Sequence, residues 1–316
     1  MRRVALIYNP ASGQYSARRA KAVHEALGVL RAAGVEAEAF ETTSVGSGTT
    51  LAAEAVRKGC DAVVACGGDG TVHEILQSLV GTDVALGVIP LGTANALAAN
   101  LSLIAPPARA ARMLLESASV RIPVGRIHYQ DRSGNPGSRY FLVAAGIGAD
   151  AKLMSRLDAG LKRRLGYALY LIEAFRIWAT DPFPYFEAAY TTNGSGQQRV
   201  EEVSQLLAVR VRSFGGVLHQ LAPGATLHDS SLHLLAFKTR SRVSYLKFLL
   251  AVIAGRHTFG RQIELIETSS IDCHTRNGSR DTLFVEADGE VLGSLPVRIE
   301  AMPLALNLLV PPGAQP

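Results

Sequence analysis

Four short runs of β-forming apolar residues, 4–8, 35–42, 62–66 and 86–89, are separated by three longer stretches of helical periodicity, 17–33, 49–58 and 72–80. In the first stretch Val23, Leu27 and Leu30 fall near one face, as a helix packed on a sheet requires. Alternation of this kind builds βα units around a parallel sheet. Ligands of such sheets bind beyond the carboxyl ends of the strands, so the loops 9–14, 67–71 and 90–95 are where a site is expected.

Beyond about residue 121 the pattern changes. Residues 140–145, 201–212, 231–239, 262–271, 282–286 and 297–301 read as strands, 151–178 and 243–254 as helical, and 131–138 and 191–198 as polar hairpin loops. The 316 residues are thus expected to form two domains: an α/β domain over 1–121 with a mostly parallel sheet, and a strand-rich domain over 122–302. Residues 303–316 are expected to pack back on the first domain, with 311–316 frayed at the end.

At 48% hydrophobic and 19% charged residues the chain is neither disordered nor in need of covalent staples. The net charge of +5 favours anionic partners. No Lys/Arg block with interleaved aromatics occurs, so phosphorylated ligands or a transient contact with an acidic membrane surface are expected, and nucleic acid is not. Cys60, Cys66 and Cys273 are odd in number and lack CxxC spacing, which argues against a disulfide framework or a zinc site. The first apolar run is too short for a secretory signal and the later stretch 245–257 too short to span a bilayer, so a cytoplasmic chain without a transmembrane helix is expected.

Gly67-Gly68-Asp69-Gly70-Thr71 follows an apolar run and precedes a helical segment. Without Cβ atoms, Gly67, Gly68 and Gly70 let the backbone approach a phosphate, and the helix N-terminus adds its positive end. Asp69 is suited to holding a metal ion through water or orienting a hydroxyl; the same residues also make an ordinary tight turn and helix cap. Asn9-Pro10-Ala11-Ser12-Gly13 follows the first run and Pro90-Leu91-Gly92-Thr93-Ala94-Asn95 the fourth, so three loops converge on one edge as a nucleotide site. Neither a GxxxxGK[ST] loop nor a GxGxxG helix opening after the first strand is present. Near the C-terminus, Glu286-Ala287-Asp288-Gly289-Glu290 follows an apolar run. Asp288 and Glu290 could act together on one hydroxyl or one metal, and Asp-Gly is also an ordinary hairpin turn.

Taken with Ala145-Gly146-Ile147-Gly148-Ala149-Asp150, these motifs stand in the order and approximate spacing of the diacylglycerol kinase catalytic domain family, and the chain most resembles its bacterial lipid kinases over nearly its whole length. The resemblance implies an α/β nucleotide-binding domain followed by a β-sandwich-like domain, with ATP and a lipid substrate meeting in the cleft and Mg²⁺ assisting transfer to a lipid hydroxyl, diacylglycerol-like or sphingoid. It further implies that Gly67, Gly68, Asp69, Gly70 and Thr71 cradle the ATP phosphates. Asn9, Pro10, Ser12, Gly13, Gly92, Thr93 and Asn95 would help bind the nucleotide, and Thr42 or Thr43 would add a hydroxyl. Asp288 would be the general base, with Glu290 orienting it or serving the metal.

The family's Asn-Asp reads Asn95-Ala96 here, and its Asp near the domain crossover falls in Ile122-Pro123-Val124, so two carboxylates of its magnesium network are missing. Its Asp-Asp-Gly structural metal loop reads His228-Asp229-Ser230, keeping Asp229 but not its partners. Ala96 and Pro123 motivate one alternative, a catalytically silent nucleotide- or lipid-binding protein; the other is an NAD-kinase-like small-molecule kinase. Peripheral membrane association follows from a lipid substrate, and the oligomeric state, a homodimer included, is left open.

Two further stretches have competing readings. The cluster Lys162-Arg163-Arg164 is either a solvated helix face or faces phosphates. The segment 245–257, apolar with cations at both ends, either covers the second sheet or lies in a membrane interface. His73 is read as lining the site or, more ordinarily, as a helix-surface residue, and no HxxxH or HExxH spacing supports a histidine metal centre.

Overall fold

The computed structural model describes residues 1–10, 16–156, 167–192, 196–214, 220–256, 259–276 and 282–314. They divide into two compact units, the first comprising Met1–Val124, Pro303–Pro316 and a short piece that begins at Ser213, the second most of the chain from Gly125 to Met302.

The first unit runs β1 (Arg3–Tyr8), α1 (Ser16–Ala32), β2 (Glu36–Glu41), α2 (Ser47–Arg57), β3 (Ala62–Gly67), α3 (Asp69–Leu79), β4 (Ala85–Pro90), α4 (Ala96–Asn100) and α5 (Pro107–Leu115). The sheet order is β2-β1-β3-β4, all parallel, and Asn307 and Leu308 near the chain's end add to β4, also in parallel. All six residues of β3 and five of the six in β1 and β4 are buried, as strands covered on both faces must be. The chain leaves β1 on one side for β2 and returns on the other for β3. The carboxyl ends of β1 and β3 therefore flank the topological switch point, where open α/β sheets bind their ligands.

The second unit takes up the end of β5 (Ala118–Gln130), then β6 (Pro136–Phe141), β7 (Ala144–Ile147), α6 (Ala149–Arg156), α7 (Tyr167–Thr180), β8 (Phe186–Thr191), β9 (Gln198–Val203), β10 (Gln205–Val209), β11 (Leu232–Phe237), α8 (Arg242–Ile253), β12 (Ile263–Thr268), β13 (Ser270–Thr275), β14 (Phe284–Ala287) and β15 (Glu290–Val310). Its strands are antiparallel, in the order β12-β11-β10-β7-β14-β15, with β13, β8 and β9 continuing from β15. Phe141, Ile147, Phe186, Leu206, Val285 and Ile299 are among the side chains of its core.

The expected strands correspond to real ones, but several divide. The run 201–212 breaks at Ser204, whose backbone N–H and hydroxyl both donate to the Phe237 carbonyl, and 262–271 breaks between Thr268 and Ser270. The run 140–145 spans the end of β6 and the start of β7. β5 and β8 lie outside the expected strands, although Val120, Ile122 and Val124 alternate with Arg121 and Pro123, and β15 is far longer than 297–301. The 131–138 turn is closed by Asp131, whose Oδ1 accepts the N–H groups of Ser133 and Asn135 at 2.8 Å. The three cysteines are buried and unbridged.

Candidate functional site

In the first unit the strand ends are level, with Tyr8 opposite Cys66 and Gly67 opposite Pro90. Two loops there lie backbone against backbone. A Cβ on Gly92 would sit 2.4 Å from the Cα of Gly68, and one on Gly67 2.3 Å from Thr71 Oγ1, so neither position admits a side chain. Leu91 N–H donates to the Gly67 carbonyl at 2.9 Å, which closes the contact. Asn95, in the left-handed region at φ 51°, accepts the Gly92 N–H at 2.9 Å and donates from Nδ2 to the Gly92 carbonyl at 2.8 Å. Asp69 opens α3, and its Oδ1 accepts the Ala96 N–H at 2.8 Å, tying the glycine loop to the start of α4.

The other expected residues surround this pair of loops. The Thr42 N–H donates to the Tyr8 carbonyl at 2.9 Å, and that of Thr43 to Ser47 Oγ at 3.0 Å, which sets both at the carboxyl end of β2. Gly70 and Thr93 are exposed and Thr71 is half-buried. Asn9 and Pro10 follow β1, while Ser12 and Gly13, like the Lys162-Arg163-Arg164 cluster, lie outside the described residues. His73 is fully buried in α3, which corrects its reading as a surface residue: it shares the inward face with Val72, Ile75 and Leu76.

One residue escaped the sequence reading. Arg19 on α1 donates from Nη2 to the Leu91 carbonyl at 2.9 Å and from Nη1 to the Asn9 carbonyl at 3.3 Å, bracing the loops after β1 and β4. Burial draws its guanidinium below the usual arginine value. A single arginine in a helix gives no pattern to find it by; only the fold brings it to those carbonyls. Together the glycine loops, the N-terminus of α3 and Arg19 suit an anionic ligand with phosphate oxygens.

In the second unit the chemistry gathers at the β14–β15 hairpin. Ala287 pairs with Glu290, so Asp288 and Gly289 are the whole loop, and both have positive φ, 48° and 85°. This is the type of turn that Asp-Gly favours between strands. The Asp288 side chain does more than turn the chain. Its Oδ1 accepts the N–H groups of Val143 at 2.8 Å and Ala144 at 3.1 Å, and its Oδ2 that of Leu142 at 2.9 Å. Glu290 follows, half-buried, at the start of β15.

Beneath the turn lies a pair of acids. Glu286 and Asp150 are hydrogen-bonded to each other, and Glu286 Oε2 accepts the Gly289 N–H at 2.8 Å. Gly146 makes room for them, since a Cβ there would meet Asp150 Oδ2 at 2.5 Å and Glu286 Oε1 at 2.8 Å. Burial, then the neighbouring Asp150, pushes the Glu286 carboxyl well above the ordinary range, and burial also raises Asp150. Burial and the second carboxyl together favour keeping a proton on the pair. In the sequence Gly146 and Asp150 stand only within a motif and Glu286 at a strand end.

At the 226–229 loop a divalent cation does not fit the residues present. The buried Arg210 guanidinium points Nη2 at the carbonyl of Asp229, 3.2 Å, and more loosely at that of Leu227, 3.5 Å. The Asp229 carboxylate accepts the Thr226 N–H at 2.7 Å, and its Oδ2 lies 2.9 Å from His233 Nε2. Burial lowers Arg210 to about 10, opposed by the charges of Asp229 and Asp288, so it stays a cation at neutral pH. Asp229 thus already has a cationic neighbour and a backbone donor where the family resemblance implies a metal. Among the described residues no three His, Cys, Asp or Glu side chains are arranged to hold a metal ion.

Comparison with known proteins covers both units. The sequence model of the diacylglycerol kinase catalytic domain matches residues 3–127, and that of the YegS C-terminal NAD kinase beta sandwich-like domain matches residues 142–310. The chain is 30% identical over 310 residues to a diacylglycerol kinase of Mycobacterium tuberculosis, covering 98% of this chain and 95% of that one. It is 31% identical over 297 residues to a probable lipid kinase YegS-like protein of Chromohalobacter salexigens, covering 92% and 89%. A crystal structure of a diacylglycerol kinase from Bacillus anthracis str. Sterne superposes with a TM-score of 0.70 at 20% identity, covering 99% of this chain and 98% of that one, a likeness of fold.

Proposed function

Since the chain belongs to the family of diacylglycerol kinases and YegS-like lipid kinases, we propose that it transfers the γ-phosphoryl group of ATP to the hydroxyl of a diacylglycerol-like or sphingoid lipid. The observation that carries the catalytic part of this reading is the Asp288-Gly289 turn, a carboxylate clamped by three consecutive backbone N–H groups with a second carboxylate, Glu290, directly after it.

In the first unit the N–H groups around Gly68 and Gly92 and the start of α3 receive the ATP phosphates, with Arg19 holding the flanking loops in place. Mg²⁺ uses one or two protein carboxylates and completes its shell with water and phosphate oxygens, so Asp69 fits it as a lone protein ligand. When bound, the ion neutralises charge on the phosphates. Asn9, Thr42, Thr43 and Thr93 serve the nucleotide.

The acceptor hydroxyl attacks the γ-phosphorus; its O–P bond forms as the bond to ADP breaks, and its proton passes to a carboxylate. Asp288, expected to be that base, has both oxygens engaged by backbone N–H groups, and protonating it would weaken those bonds. We therefore assign the proton to Glu290 and give Asp288 the task of fixing the turn. Glu290→Gln then abolishes transfer with a smaller loss of melting temperature than Asp288→Asn, which lowers both; retention of activity by Glu290→Gln returns the base to Asp288.

A second reading, a protein that binds nucleotide without turnover, is favoured by Ala96, whose N–H occupies an oxygen of Asp69. It predicts ATP binding with no product on any lipid.

A further inference from the structure

Helix α8 is apolar all round but buried on one side only. Phe248 and Val252 face inward, with the Phe248 ring edge-on to Phe237 at 5.3 Å, and Tyr245 stacks on Phe237 at 4.6 Å. This much is a helix covering a sheet. Its other face, however, is equally apolar: Val243, Leu246, Leu249, Leu250 and Ile253 are between 40% and 59% exposed. Positions 243, 246, 250 and 253 follow the three- and four-residue spacing of one helical stripe, and 249 borders it.

The start of α8 is tied to the end of α7. Trp178 Nε1 donates to the Arg242 carbonyl at 2.9 Å and Arg242 Nε to the Trp178 carbonyl at 2.9 Å, locking the two helix ends together. Next to Trp178, at 5.5 Å between rings, Phe175 is 65% exposed. Residues 240–256 carry Arg240, Arg242, Lys247 and Arg256, all exposed, and no acidic residue.

We propose that this outward face of α8, with Phe175, docks on a phospholipid surface bearing anionic headgroups. The apolar stripe enters the acyl boundary while the bordering cations meet the headgroups. Charge favours this occupant over a second copy of the chain, because a two-fold interface on this face would set like cations against each other. The helix is too short to span a bilayer, and among the described residues no helix is long and apolar enough to do so. The inference stands apart from the kinase reading, since its test contains no ATP.

The test is co-sedimentation with extruded vesicles of phosphatidylcholine, alone or mixed with phosphatidylglycerol, comparing the native chain with Leu246→Glu/Leu250→Glu and with Lys247→Glu/Arg256→Glu. The native chain is expected to pellet with the mixed vesicles. The first variant should bind about tenfold or more weakly with an unchanged melting curve, and the second should lose about fivefold or more, on the mixed vesicles alone. If the first variant melts early, the second carries the test. A native chain that stays in the supernatant, or variants that pellet as it does, would overturn the proposal. So would a dimer in sedimentation velocity without lipid that the double leucine variant turns into a monomer, because a second copy then covers the face.

Discussion

At the carboxyl edge of the first unit the functional groups are mostly backbone. Gly68 and Gly92 touch, and Asn95 and Asp69 brace them. Around the β14–β15 turn of the second unit the groups are four carboxyls, Asp150, Glu286, Asp288 and Glu290, one clamped by amides and two buried beside each other. A backbone site is held by sterics and tolerates almost no added atom. A carboxyl site is held by hydrogen bonds and depends on where its protons are. The two should therefore fail differently when altered.

The largest expected effect lies in the carboxyl site. Glu290→Gln should lower the rate of lipid phosphorylation by about 10²- to 10⁴-fold, the usual contribution of a general base, and should move the thermal melt less than Asp288→Asn does. Asp288→Asn turns one carboxylate oxygen into an N–H₂ that faces backbone donors, so it should cost about 1–3 kcal/mol of stability besides activity. Equal melting curves for the two variants would break the distinction between base and clamp.

Next comes the backbone site. Gly92→Ala places a methyl 2.4 Å from the Gly68 Cα, where only main chain can yield, and should destabilise by about 1–3 kcal/mol and weaken binding of a fluorescent ATP analogue at least tenfold. Gly70→Ala meets nothing within 4 Å and should leave stability within about 0.5–1 kcal/mol of the native chain. If both variants bind alike, the loop contact does not shape the nucleotide site.

A smaller effect separates the units by pH. Burial and Asp150 raise the folded-state value of Glu286 above its value in the unfolded chain. Its contribution to stability is thus present in acid and lost as pH rises through the folded value. Glu286→Gln, with its amide N–H₂ toward Asp150 and its carbonyl toward the Gly289 N–H, mimics the protonated acid. As pH rises above the ordinary glutamate range, the native chain should lose stability that the variant keeps. Parallel curves would mean that the pair carries no shared proton. The smallest effect is a null one: with Arg210 on the Asp229 and Leu227 carbonyls, EDTA should leave the nucleotide-free melting temperature unchanged, whereas a drop reversed by Mg²⁺ and absent in Asp229→Asn would place a metal there.

The same contrast explains what was legible in the sequence. The glycine loops could be read because a steric demand leaves a mark at the position itself: only glycine serves at 67 and 92, the first ending a buried strand and the second just beyond one. The Asp-Gly turn was legible for the same reason. Partners brought together only by the fold were not. Nothing near Asp288 tells that the amides of Leu142, Val143 and Ala144 will clamp it, nothing near Arg19 points to the Leu91 carbonyl, and nothing near Arg210 points to the 226–229 loop. The exposed stripe on α8 was half legible, since its composition shows apolar residues all round but not which of them the sheet would cover.

The central claim is the phosphoryl transfer, and it is tested most directly with γ-labelled ATP and Mg²⁺ in mixed micelles containing diacylglycerol or a sphingoid base, comparing the native chain with Glu290→Gln. The account predicts a labelled phospholipid from the native chain and none above background from the variant, with ATP bound by both. ATP bound by the native chain with no labelled product on any lipid would contradict it.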